Sequence, residues 1–209
     1  MNPFPDTITD IHTHNRQCGD WAILSVNAGD PLPPAPAFLS SGLHPWHTVD
    51  PDAEERMAAL ENTAVSTRIT AIGECGLDRL RGADIKRQEQ LFARHILLSE
   101  QLRKPMIIHC VRAFDRLLHM HREYRPRQLW IVHGFRGKPQ LASQLIDNGI
   151  AISLGERFNP QTANIIPEDH LFFETDESLL PIQDIKSKII SSMDQSHESL
   201  KKYGDLNNN

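Results

Sequence analysis

What most limits the fold of this chain is its punctuation: eight short apolar runs, at 7–11, 22–26, 37–41, 69–73, 105–108, 128–132, 150–154 and 171–174. Several, such as Pro105-Met106-Ile107-Ile108 and Trp130-Ile131-Val132, have no polar alternation and so leave no face for water. Strands of that kind are buried on both sides, as when helices cover one face of a parallel sheet and a packed interior lies behind the other. Helical stretches separate the later runs. Asp52 is placed to cap 53–62, and 84–103 sets Ile85, Leu91, Phe92, Leu98 and Leu102 along one stripe. Residues 113–124 follow, then 138–147, which ends in the helix-stop signal Asn148-Gly149. A last helix is expected at 182–203 and a frayed polar tail at 204–209. Strand and helix alternating through short loops imply parallel pairing and right-handed crossovers, and eight such strands close a (β/α)₈ barrel. The first third departs from this scheme: 29–36 holds four prolines and no helical period, so the first two crossovers are expected to be loops. The chain reads as one α/β domain over 1–209, lightly covered on that flank.

In such a barrel functional groups gather at the C-terminal strand ends, and here those ends carry metal-binding residue types. Asp10-Ile11-His12-Thr13-His14 closes the first run. In extended chain, residues two apart share a side, so His12 and His14 project together as a two-imidazole bite. Glu74, His109, His133 and Asp176 end the fourth, fifth, sixth and eighth runs. Taken singly each has an ordinary explanation, a hydrogen-bonded histidine or a helix-capping acid. Together they are four imidazoles and two carboxylates from five strand ends, a set that can hold two divalent metal ions: Zn, Mg, Mn or Ni. Glu74 is the expected bridge because a carboxylate has two oxygens to divide, and Gly73 and Gly76 beside it are expected to admit metals and substrate close to the backbone. Two cations about 3.5–4 Å apart share a water and lower its pKa toward neutrality, giving a bridging hydroxide. Asp176 would ligate one metal, take the proton and pass it to the leaving group.

Charge narrows the substrate. The net charge of −5 argues against a protein that wraps nucleic acid nonspecifically. Yet 79–138 contains 14 Lys and Arg against 5 Asp and Glu, and Arg79, Arg81, Arg112, Arg136 and Lys138 all come just after strand ends, where a basic rim could meet an anionic substrate. His44, in Gly42-Leu43-His44-Pro45-Trp46-His47 after the third run, is expected to face the mouth and touch a phosphate or leaving group without binding metal. His95, His119, His121 and His197 are assigned to surface or packing. Three cysteines, none in a Cys-x-x-Cys pair, exclude a disulfide scaffold and a thiolate zinc site. No stretch approaches the length of a membrane span and the N-terminus lacks a signal-peptide pattern, so no membrane association and a cytoplasmic location are expected.

Six motifs in order, Asp-Ile-His-Thr-His at 10–14, Gly-Leu-His-Pro at 42–45, Gly-Glu-Cys-Gly-Leu-Asp at 73–78, Pro-Met-Ile-Ile-His at 105–109, Val-His-Gly-Phe-Arg-Gly at 132–137 and Glu-Thr-Asp at 174–176, resemble the TatD-type metal-dependent deoxyribonucleases of the amidohydrolase superfamily. The resemblance implies a TIM-like barrel, two divalent metals and phosphodiester hydrolysis, often as an exonuclease on DNA ends. It places His12, His14, Glu74 and Asp176 on one metal and Glu74, His109 and His133 on the other, with His44 and Asp78 lining the substrate pocket. This chain departs from the family pattern at Val111, where an arginine is usual, with Arg112 one residue on, and at Glu177-Ser178, where x-Pro is usual. It is also short for the family in its first crossovers and after Asp176. Two other readings share the same ligands: an amidohydrolase or esterase on a small molecule, since a barrel does not fix a reaction, and a non-catalytic metal-binding relative.

Overall fold

The computed structural model describes residues 2–206, with side chains through 194. Eight strands, β1 (Asp10–Thr13), β2 (Ala22–Asn27), β3 (Leu39–Gly42), β4 (Ile69–Asp78), β5 (Met106–Val111), β6 (Trp130–Val132), β7 (Ala151–Leu154) and β8 (Leu171–Phe173), pair in sequence order and all in parallel. The ring returns on itself just beyond β8: Asp176 N–H donates to the His12 carbonyl at 2.9 Å and His14 N–H donates to the Asp176 carbonyl at 3.1 Å. The helices are α1 (Ala53–Thr63), α2 (Ile85–Leu102), α3 (Phe114–Tyr124), α4 (Pro139–Asp147), α5 (Pro160–Ala163) and α6 (Ile182–Leu206). No helix lies in the crossover from β1 to β2, which is only residues 14–21, or in that from β2 to β3, where the four prolines fall. The fold is a TIM-like barrel.

Alternation along the strands divides two cores. Ile23, Ile107, Ile131 and Ala151 point inward and pack with Phe4, Ile8, Ile11 and Phe172, which close the bottom of the barrel. Their neighbours Leu24, Met106, Ile108, Trp130 and Val132 point outward beneath the helices. The same period of two carries the inward set upward from Ile107 to His109 and from Ile131 to His133, which is how an apolar interior becomes a polar mouth.

Several boundaries differ from the sequence reading, four of them by enough to matter. β1 starts at Asp10 rather than at residue 7, because Phe4 and Ile8 are spent plugging the barrel rather than pairing. β4 and β5 run on through Asp78 and Val111, so Glu74 and His109 lie within paired strands and not at their ends. The apolar pattern stops at Glu74, but the backbone ladder does not. Glycine explains how: a Cβ on Gly73 would stand 2.3 Å from the Ile107 carbonyl oxygen, and one on Gly76 2.1 Å from that of His109. Both glycines thus admit the neighbouring strand, not metals or substrate as their position suggests. Finally, the backbone is helical to Leu206, past the expected end at 203; residues 207–209 of the expected tail lie outside the described residues, as does the side chain of His197.

Candidate metal centre

The sequence-derived ligands converge at the mouth. A register irregularity between Ile72 and Cys75 in β4 turns Cys75 outward into the helix-side core and leaves Glu74 facing the ring. Its two oxygens then divide. Oε2 lies 3.3 Å from His12 Nε2 and 3.6 Å from His14 Nε2, while Oε1 lies 2.7 Å from His133 Nε2, 3.1 Å from His109 Nδ1 and 3.0 Å from His44 Nε2. Asp176 completes the first group, with Oδ1 3.8 Å from His12 Nε2 and 3.7 Å from His14 Nε2. Its backbone is left-handed, φ 53°, a conformation aspartate tolerates better than most residues. That conformation lets the main chain close the barrel against β1 while the carboxylate turns to the site.

The hydrogen bonds fix which ring nitrogens are free. His44 Nδ1 accepts from Trp46 N–H at 3.1 Å, so its proton sits on Nε2 and is donated to Glu74. In that tautomer the ring has no lone pair left for a cation, although His44, Glu74 and His109 lie close enough together to form a ligand group. His109 Nε2 meets Asp78 Oδ2 at 3.1 Å, and His133 Nδ1 meets Glu174 Oε1 at 3.3 Å. Held from behind by those carboxylates, the rings direct His109 Nδ1 and His133 Nε2 at Glu74 Oε1, where both lie within hydrogen-bonding distance and would face a shared cation. A buried carboxylate orienting a ligand histidine from behind is the usual support of a metal site.

Burial and charge agree with this arrangement. Burial opposes the Glu74 charge, but His133, His109 and His12 outweigh it and hold the carboxyl well below its ordinary range. Burial likewise opposes charge on His133, and Glu74 and Glu174 overcome it, holding that imidazole well above the usual value. His14 is raised by its hydrogen bond to Glu74, whereas burial lowers His44. His12 provides the test of fit: it is wholly buried, and among the described residues neither ring nitrogen makes a well-formed hydrogen bond, although Glu74 Oε2 stands 3.3 Å from Nε2. An unsatisfied buried imidazole is costly, and a divalent cation among His12, His14, Glu74 and Asp176 would satisfy it. The N/O donor set fits such ions. Neither adjacent thiol competes, since burial pushes Cys110 up to about 12 and Cys75 well above its ordinary value.

Of the expected substrate contacts, His44 lines the small cavity above Glu74, and Arg112 and Arg136 line a neighbouring cleft of about 940 Å³ with His109 and His133. Asp78 and Arg79 do not take the places expected of them. Asp78 is 3% exposed, and its oxygens are occupied by Trp46 Nε1–H, Leu80 N–H and His109, so it holds the site together rather than lining a pocket. Arg79 bonds Asp115 at 2.8 Å and the Arg112 carbonyl at 3.0 Å, which ties the loop after β4 to α3. Both terminal nitrogens of its guanidinium are engaged there. Two acids escape sequence reasoning altogether. Glu174, within the Glu-Thr-Asp motif, is buried and accepts Gly134 N–H at 2.7 Å besides supporting His133. Asp10 accepts the Thr175 hydroxyl at 2.7 Å and the Thr175 amide at 3.1 Å, buttressing the seam beneath His12 and Asp176. His95, assigned to packing, is buried, and its Nε2 accepts Leu43 N–H at 3.0 Å, bracing the segment that carries His44.

Known proteins share this arrangement of chain. An uncharacterized metal-dependent hydrolase of Buchnera aphidicola is 30% identical over 152 residues, covering 68% of this chain and 57% of the relative. A 3′-5′ ssDNA/RNA exonuclease TatD of Erwinia tasmaniensis is 30% identical over 162 residues, covering 72% and 62%. Among solved structures, the TatD homologue YjjV of Escherichia coli superposes with a TM-score of 0.62 at 24% identity, covering 75% of this chain and 67% of that one. This chain spans about three-fifths of the length of the curated relatives it matches. Among the described residues no helix is long and apolar enough to cross a membrane. The family model for TatD-related DNases matches residues 33–193, and with the ordered motifs and the barrel this establishes that the chain belongs to the TatD family.

Proposed function

We propose that this chain is a binuclear metal-dependent phosphodiesterase that acts on DNA ends or on small phosphodiesters. The division of the Glu74 carboxylate supports this reading above all else: Oε2 serves one imidazole pair and Oε1 another set, as an acid shared by two cations must. His12, His14, Glu74 and Asp176 would hold one ion, and Glu74, His109 and His133 the other. When bound, such a pair supplies water acidified to near-neutral pKa and positive charge opposite the phosphoryl oxygens. The rest falls to the chain. The partly exposed Asp176 carboxylate takes the proton of the attacking water and returns it to the leaving oxygen. Asp78 and Glu174 hold His109 and His133 in the productive tautomers. Arg112 and Arg136 are exposed, and among the described residues their guanidinium groups have no partner, so they remain available for phosphate oxygens. A neutral amide would make no use of them. The name of the Erwinia relative points to single-stranded ends as the substrate class.

The test is cleavage of 3′-labelled single-stranded DNA and of bis-p-nitrophenyl phosphate by protein reloaded with Mg²⁺, Mn²⁺ or Zn²⁺. Asp176→Asn is expected to lower kcat by orders of magnitude. Turnover unaffected by that change, or faster turnover of acyl than of phosphoryl substrates, would overturn the reading.

A further inference from the structure

We infer that Trp46 is the platform on which the nucleobase beside the scissile phosphodiester stacks, an assignment that deepens the nuclease reading and rests on it. Trp46 sits in a 3₁₀ turn, Pro45–Val49, immediately after His44. Its indole is a wall common to two cavities, the small one above Glu74 and the basic cleft that holds Arg112 and Arg136. The residue is 40% exposed, yet it is not loose. Nε1–H donates to Asp78 Oδ2 at 2.6 Å, and the rings of His44 and His109 stand edge-on at 4.7 and 5.8 Å. Asp78 in turn holds His109, so the indole is fixed relative to the ligand histidines by a single shared carboxylate.

A large aromatic ring kept rigid and half open beside reacting groups has given up much of the burial that normally justifies tryptophan. What covers it is informative. The Arg81 guanidinium lies 4.3 Å from the ring centroid, and among the described residues this exposed cation has no hydrogen bond or ion pair to hold it elsewhere. An exposed cation–π contact is weaker than a base stacked on an aromatic side chain. A nucleobase therefore displaces Arg81 from the ring, and the freed guanidinium turns to the phosphate that the base brings with it. Arg112 and Arg136 flank the same strand from the cleft on the other side of the indole. A base reaches this face only when it is unpaired and lifted off its neighbour, so the platform selects single-stranded over duplex ends.

The experiment compares kcat/KM for single-stranded oligonucleotides that are intact or abasic at the terminal nucleotide. The wild-type protein is expected to prefer the intact end by about tenfold or more. Trp46→Leu should bring that ratio close to one, while Trp46→Phe, which keeps the ring and loses the hydrogen bond to Asp78, should slow both substrates and retain most of the ratio. A wild-type ratio near one, or an unchanged ratio in Trp46→Leu, overturns the platform. Failure to cleave either oligonucleotide under any divalent ion removes the nuclease reading and the platform together; cleavage without base preference removes the platform alone. A second measurement needs no variant: in EDTA, a terminal 2-aminopurine on single-stranded DNA should lose fluorescence on binding through stacking, and bound probe with unchanged emission overturns the assignment.

Discussion

Acidification should destabilise this protein through one histidine that has no part in the chemistry. His95 on α2 is fully buried; its Nε2 accepts Leu43 N–H at 3.0 Å and its Nδ1–H donates to the Leu91 carbonyl at 2.8 Å. Burial keeps the ring neutral and draws its pKa from 6.5 down to about 4. Above the unfolded value neither state binds the proton, and stability is independent of this residue. Between about 6.5 and 4 the unfolded chain binds it and the native one does not, so stability falls as pH falls, by about 1.4 kcal/mol per pH unit. The full loss, about 3 kcal/mol, is reached below pH 4, and about 2 kcal/mol is reached by pH 5. His95→Gln places an amide oxygen near the former Nε2 and cannot titrate. Urea unfolding in EDTA at pH 7.5 and pH 5 should show the wild type losing about 2 kcal/mol more than the variant, with every other titrating group common to both. Parallel losses in the two proteins would refute the reasoning.

Other consequences of the geometry are as direct. Glu174→Gln should weaken retention of a divalent ion about 10- to 100-fold in chelator competition, because a neutral amide replaces the charged acceptor that orients His133 and raises its basicity. Gly76→Ala should cost about 3 kcal/mol or more in chemical denaturation, or prevent folding, since its Cβ would collide with a strand carbonyl. Adding Zn²⁺ or Mn²⁺ at about 100 times its Kd should stabilise the protein by about 2.7 kcal/mol in thermal melts. His12→Ala should abolish that gain, and an equal gain in the variant would show that the ion binds elsewhere.

Much of this could be read before any coordinates, for identifiable reasons. Continuous runs such as Met106-Ile107-Ile108 announce strands buried on both faces, and five of the eight runs lead into a histidine or acid whose chemistry is out of place in a core; fold and ligands are legible from the same pattern. What escaped depends on contacts between distant segments. The family resemblance made Asp78 a pocket residue, and the convergence of Trp46, Leu80 and His109 on its oxygens gives it a supporting place instead. Glu174 lies directly after the last strand in a position that reads as filler until Gly134 and His133 are brought against it. The length of β4 was hidden because a strand whose inward side chain changes from alanine to glutamate no longer looks apolar, although its pairing with β5 continues. His95 could not be distinguished from helix packing without the amide of Leu43 across the interface.

The meeting of Asp176 with β1 carries a last consequence. The main chain that fastens the circle belongs to the same three residues whose side chains would seize a cation, so occupancy and circumference are thermodynamically coupled. The amide protons of His14 and Asp176 should then serve as built-in gauges: their exchange with deuterium slows when an ion is present and quickens when it is stripped, while amides in the middle of β6 scarcely change.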